Sequence, residues 1–306
     1  MNIVFFSTSF FSLPSFMSIV DSISCVVTKK AKPKGRGYML EDGEIKRFAS
    51  QEGKPLIEIE GFKEPSIFQV MDFDPDLFVV VSFGLIIPKK ILDIPKIGSI
   101  NVHPSLLPLY RGPSPIQWAL LNGDRQTGIT IIKMNEEMDA GDIVYQEAVK
   151  IHEKDNAETL SEKLSLKSAE ILPNIIRLIE KEGNIRGTKQ EHTSATYTPL
   201  IKKEMGRIDW HAKASDINNK IRAFITWPVA YTFMDNKMVK IYRAEIDSFT
   251  SNQLPGTIFD VKKQGIFVST PHETLIIKEL HMENKKRMDA YNFAIGYRNL
   301  IGKTFV

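Results

Sequence analysis

Short apolar runs alternate with amphipathic stretches through the first half of the chain. The apolar runs predict strands over residues 2–6, 24–28, 55–59, 77–82, 98–102, 128–134 and 143–151. Helical spacing predicts helices between them at 13–21, 43–51, 89–92 and 115–122. The run from Leu77 to Val81 is continuous and apolar, as expected of a strand that is buried on both faces. This alternation favours a mainly parallel sheet that is flanked by helices.

A long helix is predicted to follow the last of these strands. Asp155 and Glu158 have the spacing of a capping box, and Gly183 suits the C-terminal end of the helix. Pro173 lies inside this stretch and is expected to kink it. Leucine and isoleucine recur between these ends at helical intervals, at Leu160, Leu164, Leu172, Ile175 and Ile179.

The hydrophobic period disappears between residues 183 and 206, which predicts a polar connector. Beyond it the period changes to two, and short strands are predicted at 238–242, 257–261, 265–269 and 275–280. Strands of this length and spacing indicate a small β-barrel. We therefore expect a first domain over 1–182, a linker over 183–206 and a second domain over 207–306.

Composition is that of an ordinary globular protein, with 42% hydrophobic and 25% charged residues over 306 positions. The single cysteine, Cys25, excludes an intramolecular disulfide, and the valines after it indicate a buried strand thiol. No stretch approaches the ~20 apolar residues of a membrane span, and the apolar start of the chain resembles a strand more than a leader. We expect a cytoplasmic monomer that does not bind membranes.

Positive charge is concentrated towards the C-terminus, although the net charge of the chain is only +3. Residues 200–306 contain 17 Lys and Arg against 11 Asp and Glu, whereas residues 1–199 contain 23 against 26. Such a basic portion is expected if it binds a polyanion. A solvated, lysine-rich surface is the alternative.

The predicted strand over 98–102 leads into the most informative side chains. Asn101 and His103 are two positions apart, so in a strand they lie on one face, and the prolines that follow end the strand there. Ligands of α/β proteins bind at this edge of the sheet. A second loop, over 136–142, offers a carboxylate from Asp139 or Asp142.

An amide, an imidazole and a carboxylate with no obvious serine or cysteine nucleophile suit the transfer of a group between two bound substrates. Two alternatives remain from the residues alone. Asn101 and His103 could be turn caps, or His103 and the acids could bind a metal ion. The second alternative lacks another His or Cys at ligand spacing.

The stretch Asn101-Val102-His103, with Ser105-Leu106-Leu107-Pro108 after it and Asp139-Ala140-Gly141 later, resembles the folate-dependent formyltransferases. Further blocks are similar to the branch of that family that formylates initiator methionyl-tRNA: Phe83-Gly84-Leu85-Ile86-Ile87-Pro88, Gly35-Arg36-Gly37, Arg207-Ile208-Asp209-Trp210, Ile221-Arg222-Ala223 and Trp227-Pro228. The resemblance implies a Rossmann-like, mainly parallel sheet with helices on both faces, followed by a small OB-like β-barrel domain. It also implies formyl transfer from 10-formyltetrahydrofolate, a co-substrate, to the α-amino group of the charged tRNA, without a metal ion.

The resemblance implies three groups of site residues. Asn101, His103 and Asp139 would be catalytic, with Asp139 preferred over Asp142 because it begins the Asp-x-Gly pattern. The folate would contact Leu85, Ile86 and Ile87 and the loop Ser105, Leu106, Leu107 and Pro108. Arg36 and Lys34, in a cationic loop, would contact the tRNA.

Two departures from the family and two alternative functions accompany this interpretation. Ser7-Thr8-Ser9 stands where the family usually has Gly-Thr-Pro, and Glu41-Asp42-Gly43 replaces a Ser-Pro-type segment. The acceptor could instead be a small amine, such as a sugar-nucleotide amine or glycinamide ribonucleotide. A noncatalytic RNA-binding protein on this scaffold is the other alternative, and the complete Asn101, His103 and Asp139 set disfavours it.

Overall fold

The computed structural model describes residues 1–30, 33–34, 39–40, 43–297 and 299–306. The chain divides into two compact units. The first contains Met1–Pro115, Gln126–Lys150 and Ser161–Thr198, and the second contains Ile116–Arg125, Ile151–Leu160 and Pro199–Val306. Residues 183–198, which the sequence predicts as part of a connector, lie in the first unit.

A mixed, mostly parallel sheet of seven strands forms the centre of the first unit. Its strands are β1 (Ile3–Phe6), β2 (Ile23–Lys29), β5 (Leu56–Ile59), β6 (Leu77–Val81), β7 (Gly98–His103), β8 (Gln126–Lys133) and β9 (Ile143–Lys150). They lie in the order β5-β2-β1-β6-β7-β8-β9, and the first five are parallel to one another. β8 pairs antiparallel with β7, and β9 pairs antiparallel with β8. Two further strands, β3 (Pro33–Lys34) and β4 (Met39–Leu40), form a separate antiparallel pair. The seven strands that the apolar runs predict are those of the large sheet.

Helical segments lie between the strands, as α1 (Leu13–Ser18), α2 (Glu44–Gln51), α3 (Lys89–Leu92), α4 (Pro115–Leu121) and α5 (Ala157–Glu182), with a 3-10 helix over Pro65–Phe73. Side chains of β1 alternate between the faces of the sheet. Phe5 meets Phe16 of α1 at 5.7 Å between ring centroids, whereas Phe6 packs against Phe78 and Phe83 at 4.9 and 5.4 Å. The Phe6 side continues into Ile67 of the 3-10 helix and into α3. Helical segments therefore cover both faces, which confirms the Rossmann-like prediction.

The N-terminal cap of α5 differs from the prediction of an Asp155 and Glu158 capping box. The Asn156 carboxamide oxygen accepts hydrogen bonds from the backbone N–H groups of Glu158 and Thr159, at 2.9 and 3.0 Å. The Thr159 hydroxyl in turn accepts from the Asn156 N–H at 3.0 Å. The box is thus one residue later than predicted, because the Asp155 carboxylate already accepts from the N–H of His152 at 2.7 Å.

The second unit is built on an antiparallel sheet with the order β10-β11-β14-β13-β12, and β15 pairs with β14. Besides most of α4 and the start of α5, its elements are α6 (Ala214–Ala223), β10 (Ala230–Met234), β11 (Lys237–Asp247), β12 (Ile258–Lys262), β13 (Gly265–Ser269), β14 (Thr274–Met282), β15 (Met288–Asp289) and α7 (Ala290–Ile295). Four of these strands, β11 to β14, are predicted from the sequence, whereas α6, α7, β10 and β15 are not.

The last residues of the chain join the two edge strands of this sheet. Phe233 of β10 and Val306 exchange two backbone hydrogen bonds at 3.0 and 2.9 Å. On the other side, Ile258 of β12 donates to Lys303 and accepts from Gly302, both at 2.8 Å. The C-terminal segment therefore completes the small antiparallel barrel that the sequence predicts.

Cys25 lies in β2 with its side chain fully buried, as its valine neighbours predict. Burial raises the pKa of the Cys25 thiol to about 12, since the thiolate would lose its hydration. The thiol therefore stays protonated at neutral pH. Among the described residues, none of the helices combines the length and the apolar character that crossing a membrane requires.

Candidate active site

The end of β7 presents Asn101 and His103 at the carboxyl edge of the parallel strands. β7 lies between β6, which is parallel to it, and β8, which is antiparallel. Asn101 is opposite Ile132 and His103 is opposite Thr130 in this pairing. Because side chains alternate along a strand, the amide and the imidazole share one face. His103 is buried, with 4% of its surface exposed, and Asn101 is half-buried.

The Asp139 carboxylate joins these two side chains. Its Oδ1 lies 3.4 Å from the Asn101 Nδ2, and its Oδ2 lies 3.6 Å from the His103 Nδ1. The backbone N–H of Gly112 donates to the same Oδ2 at 2.8 Å. Asp142 instead contributes its backbone carbonyl, which accepts from the N–H of Lys133. The structure therefore brings Asp139 to the amide and the imidazole.

His103 has an oxygen acceptor opposite each of its ring nitrogens. Nε2 lies 2.9 Å from the carbonyl oxygen of Tyr110, and Nδ1 faces the Asp139 carboxylate. A carbonyl oxygen only accepts, so Nε2 carries a hydrogen. Contacts on both sides therefore fix the orientation of the imidazole ring.

Gly112 can only be a glycine. Its φ of 103° lies in the region that side chains rarely adopt, and a Cβ there would lie 2.9 Å from the carbonyl oxygen of Thr198. The close approach of Thr198 therefore sets the backbone conformation that aims the Gly112 N–H at Asp139.

The loop predicted to border the folate is fixed by side chains of β8 and β9. The Thr130 hydroxyl donates to the Ser105 carbonyl at 2.6 Å and accepts from the Leu107 N–H at 3.1 Å. Gln146 donates to the Leu107 carbonyl at 2.8 Å, and Ser105 uses its own hydroxyl on the Leu109 carbonyl. Ser105 and Leu107 are buried, Leu106 and Pro108 are half-buried, and the Leu107–Pro108 peptide is cis.

The other predicted folate segment, 85–87, follows β6 at the same edge of the sheet. Leu85 is half-buried, Ile86 has 69% of its surface exposed and Ile87 has 3%. Within the described part of the chain, the backbone groups of these three residues make no hydrogen bonds to other protein groups. Of the three, the exposed Ile86 and the half-buried Leu85 are open to a polar ligand.

The two predicted tRNA contacts, Arg36 and Lys34, belong to the stretch 31–42, of which only residues 33–34 and 39–40 are described. Arg36 lies outside the described residues. Lys34 belongs to β3 by its backbone, and its side chain lies outside the description. Where the structure describes the chain, no group of three or more His, Cys, Asp or Glu side chains is placed to hold a metal ion.

Gln190 is a site residue that the sequence analysis misses. Its side chain reaches back from the predicted connector and donates to the backbone carbonyl of Asp139 at 2.8 Å. The stretch around it has no hydrophobic period, and a contact to a backbone carbonyl leaves no pattern in the partner's sequence. What distinguishes Gln190 is that it is buried among exposed neighbours, and burial is visible only in the structure.

Comparison with known proteins agrees with this fold and shows the family of the chain. The sequence model of the formyl transferase family matches residues 15–176, and that of the formyl transferase C-terminal domain matches residues 200–298. The chain is 43% identical over 300 residues to the methionyl-tRNA formyltransferase of Geobacillus thermodenitrificans, which covers 96% of this chain and 94% of the relative.

Two solved structures share the fold. A methionyl-tRNA formyltransferase from Clostridium thermocellum superimposes with a TM-score of 0.56 at 18% identity, over 90% of this chain and 99% of that one. WlaRD, a sugar 3N-formyl transferase solved in the presence of dTDP and 5-N-formyl-THF, gives 0.67 at 20% identity, over 94% and 99%.

The two matched models and the fold define a two-domain formyl transferase, and so an enzyme. Sequence identity over almost the whole length narrows the assignment. The chain belongs to the methionyl-tRNA formyltransferase family.

The geometry predicts different outcomes for the two neighbouring aspartates. Asp139→Asn keeps the shape of the side chain but removes its ability to accept a proton, so we expect formyl-transfer turnover to fall by roughly 10²–10⁴. Asp142→Asn should leave turnover almost unchanged, because the structure shows its backbone rather than its carboxylate in use. Steady-state kinetics of both variants would test this. An inactive Asp142→Asn beside an active Asp139→Asn would reverse the assignment.

Proposed function

We propose that this enzyme transfers the formyl group of 10-formyltetrahydrofolate to the α-amino group of initiator methionyl-tRNA. The convergence of Asn101, His103 and Asp139 at one sheet edge carries the proposal. Among the described residues, no hydroxyl or thiol is hydrogen-bonded to these three side chains. That arrangement favours direct transfer between two bound substrates over a covalent enzyme intermediate.

Each of the three side chains has a separate task in this proposal. The bound folate supplies the formyl carbon that the amine attacks, and negative charge then develops on the formyl oxygen. Asn101 has a second amide N–H without a partner among the described residues, and it donates to that oxygen. His103, whose Nδ1 lies 3.6 Å from the Asp139 Oδ2, orients that carboxylate beside the reacting groups. Preorganised donors of this kind are often the largest single contribution to catalysis.

Asp139 receives the proton that the attacking amine loses, directly or through a water molecule. The bond between the formyl carbon and the folate nitrogen then breaks, and that nitrogen takes up a proton as tetrahydrofolate leaves. The Gly112 N–H holds one carboxylate oxygen at 2.8 Å, whereas the other oxygen is 3.4 Å from Asn101 and so only loosely held. One oxygen therefore fixes the side chain, and the other is available to the amine.

The folate site is proposed at the two loops beside these residues. The backbone groups of Leu85, Ile86 and Ile87, which lack protein partners, suit the hydrogen-bonding edge of a pterin. The Ser105–Pro108 loop, which Thr130 and Gln146 hold by hydrogen bonds, would form the other part of the folate site. These residues would hold the donor and would take no part in the chemical step.

Sequence similarity favours the tRNA over a small amine as the acceptor. The sugar formyl transferase superimposes better than the Clostridium enzyme, but both are below 25% identity and support only the fold. The 43% identity to a methionyl-tRNA formyltransferase covers both halves of the chain. The excess of positive charge in residues 200–306 agrees with a polyanionic acceptor.

The direct test is to incubate the protein with 10-formyltetrahydrofolate and methionine-charged initiator tRNA, and to release and identify the amino acid. We expect formylmethionine. A dTDP-linked amino sugar and glycinamide ribonucleotide, offered at matched concentration, should remain unformylated. Efficient turnover of either small amine without turnover of the charged tRNA would overturn the proposed acceptor, and no turnover of any acceptor would favour the noncatalytic alternative.

Arg36 provides a test of how the acceptor end is placed. Arg36→Ala should lower turnover on charged tRNA strongly while changing total tRNA affinity only modestly, since one arginine adds more to geometry than to overall affinity. Lys63→Ala, which removes one exposed positive charge elsewhere in the first unit, is the matched control and should retain turnover. Wild-type turnover by Arg36→Ala would contradict the assignment of this loop to the tRNA.

A further inference from the structure

The turn that carries Asp139 has a backbone conformation that it does not favour by itself. Asp139 has a φ of 52°, in the left-handed region that residues other than glycine rarely occupy. Its carboxylate nevertheless has to meet Asn101, His103 and the Gly112 N–H together. Contacts from outside the turn hold it in this conformation.

Gln190 holds this turn through both hydrogens of its side-chain amide. Nε2 donates to the Asp139 carbonyl at 2.8 Å and to the Gly141 carbonyl at 2.7 Å. These acceptors lie on either side of Ala140, so one amide clamps both ends of the turn. Gln190 is buried, with 5% of its surface exposed, and its two donors are both used.

Arg111 fixes the other end of the same amide. Its Nε and one terminal nitrogen donate to the Gln190 Oε1 at 3.1 and 2.7 Å. That fork determines which atom of the carboxamide is the oxygen and therefore aims the N–H groups at the turn. The residue after it, Gly112, donates to the Asp139 carboxylate, so one dipeptide supports both the backbone and the side chain of Asp139.

The guanidinium of Arg111 is buried, with 1% of the residue exposed, and no carboxylate pairs with it among the described residues. Its remaining donors meet the His192 Nδ1 at 3.3 Å and the Tyr197 hydroxyl at 3.1 Å. Burying an unpaired charge is costly, and folds rarely keep one without a use. Here the use is to orient Gln190.

We propose that Gln190, held by Arg111, is a positioning residue that keeps the Asp139 carboxylate in register with Asn101 and His103. The inference rests on the catalytic role of Asp139 in the proposed function. It assigns a task in the reaction to a segment of the first unit that the sequence alone predicts as a connector.

The test begins with Gln190→Glu, which keeps the shape of the side chain and the oxygen that accepts from Arg111. The NH₂ group becomes an oxygen, which cannot donate to the carbonyls of Asp139 and Gly141. We expect kcat to fall by roughly 10², the effect of misplacing a catalytic group by about 1 Å, with the KM for the folate donor nearly unchanged. Gln51→Glu, the same change on the exposed end of α2, should have no effect. A Gln190→Glu enzyme with wild-type kcat would overturn the inference.

A double-mutant cycle separates positioning from a structural role. Gln190→Glu is combined with Asp139→Ala, and rates are measured in single turnovers with enzyme in excess. A positioning role predicts that Gln190→Glu has little further effect once Asp139 is absent. Effects that multiply to within about twofold would show that Gln190 acts independently of Asp139 and would overturn the inference.

Two further measurements keep the result interpretable. Thermal unfolding checks each variant, and Gln190→Met, which has similar length and no donors, replaces Gln190→Glu in the cycle if that variant does not fold. If Asp139→Ala alone keeps the wild-type rate, the catalytic role of Asp139 fails and the inference fails with it. If Asp139→Ala is impaired but the effects multiply, only the inference about Gln190 fails.

Discussion

The hydrogen bond from the Gly112 N–H to the Asp139 carboxylate is the interaction on which the site depends. It joins the loop after β7 to the turn after β8, two segments that are 27 positions apart in the chain. Without it, the Asp139 carboxylate would have only a contact of 3.4 Å to Asn101 and one of 3.6 Å to His103. A Cβ at position 112 would lie 2.9 Å from the Thr198 carbonyl oxygen, so the bond needs a glycine there. The placement of the Asp139 carboxylate beside Asn101 and His103 thus depends on Gly112.

The strands of the first sheet are predicted well, because strands that are buried on both faces appear in the sequence as continuous apolar runs. Alternation also places Asn101 and His103 on one face correctly, and the structure brings the Asp139 side chain to them. The predicted N-terminal cap of α5 is wrong by one residue. Asp155 and Asn156 are both good capping residues, and the hydrogen bond that Asp155 accepts in the turn before the helix leaves Asn156 as the cap. Closure of the barrel depends on Phe233 and Val306, which are distant in sequence and have no local signal for their pairing.

The parts of the site that sequence reasoning misses share a physical cause. Gln190 donates to backbone carbonyls, and Arg111 donates to Gln190. Neither residue belongs to a periodic apolar face or to a motif. A polar segment such as 183–206 has the same composition whether it is solvated or packed against a catalytic turn. Only burial separates these two states: Gln190 is 5% exposed although its preceding neighbours are exposed.

The central claim is that Asn101 stabilises charge that exists only during the transfer. Its most direct test is Asn101→Ala, with the affinity for the folate donor and the rate of a single turnover measured separately. An interaction made only in the transition state predicts a fall in rate of roughly 10²–10³ with donor affinity unchanged. A rate within a few-fold of wild type, or a loss that resides entirely in donor affinity, would contradict the account.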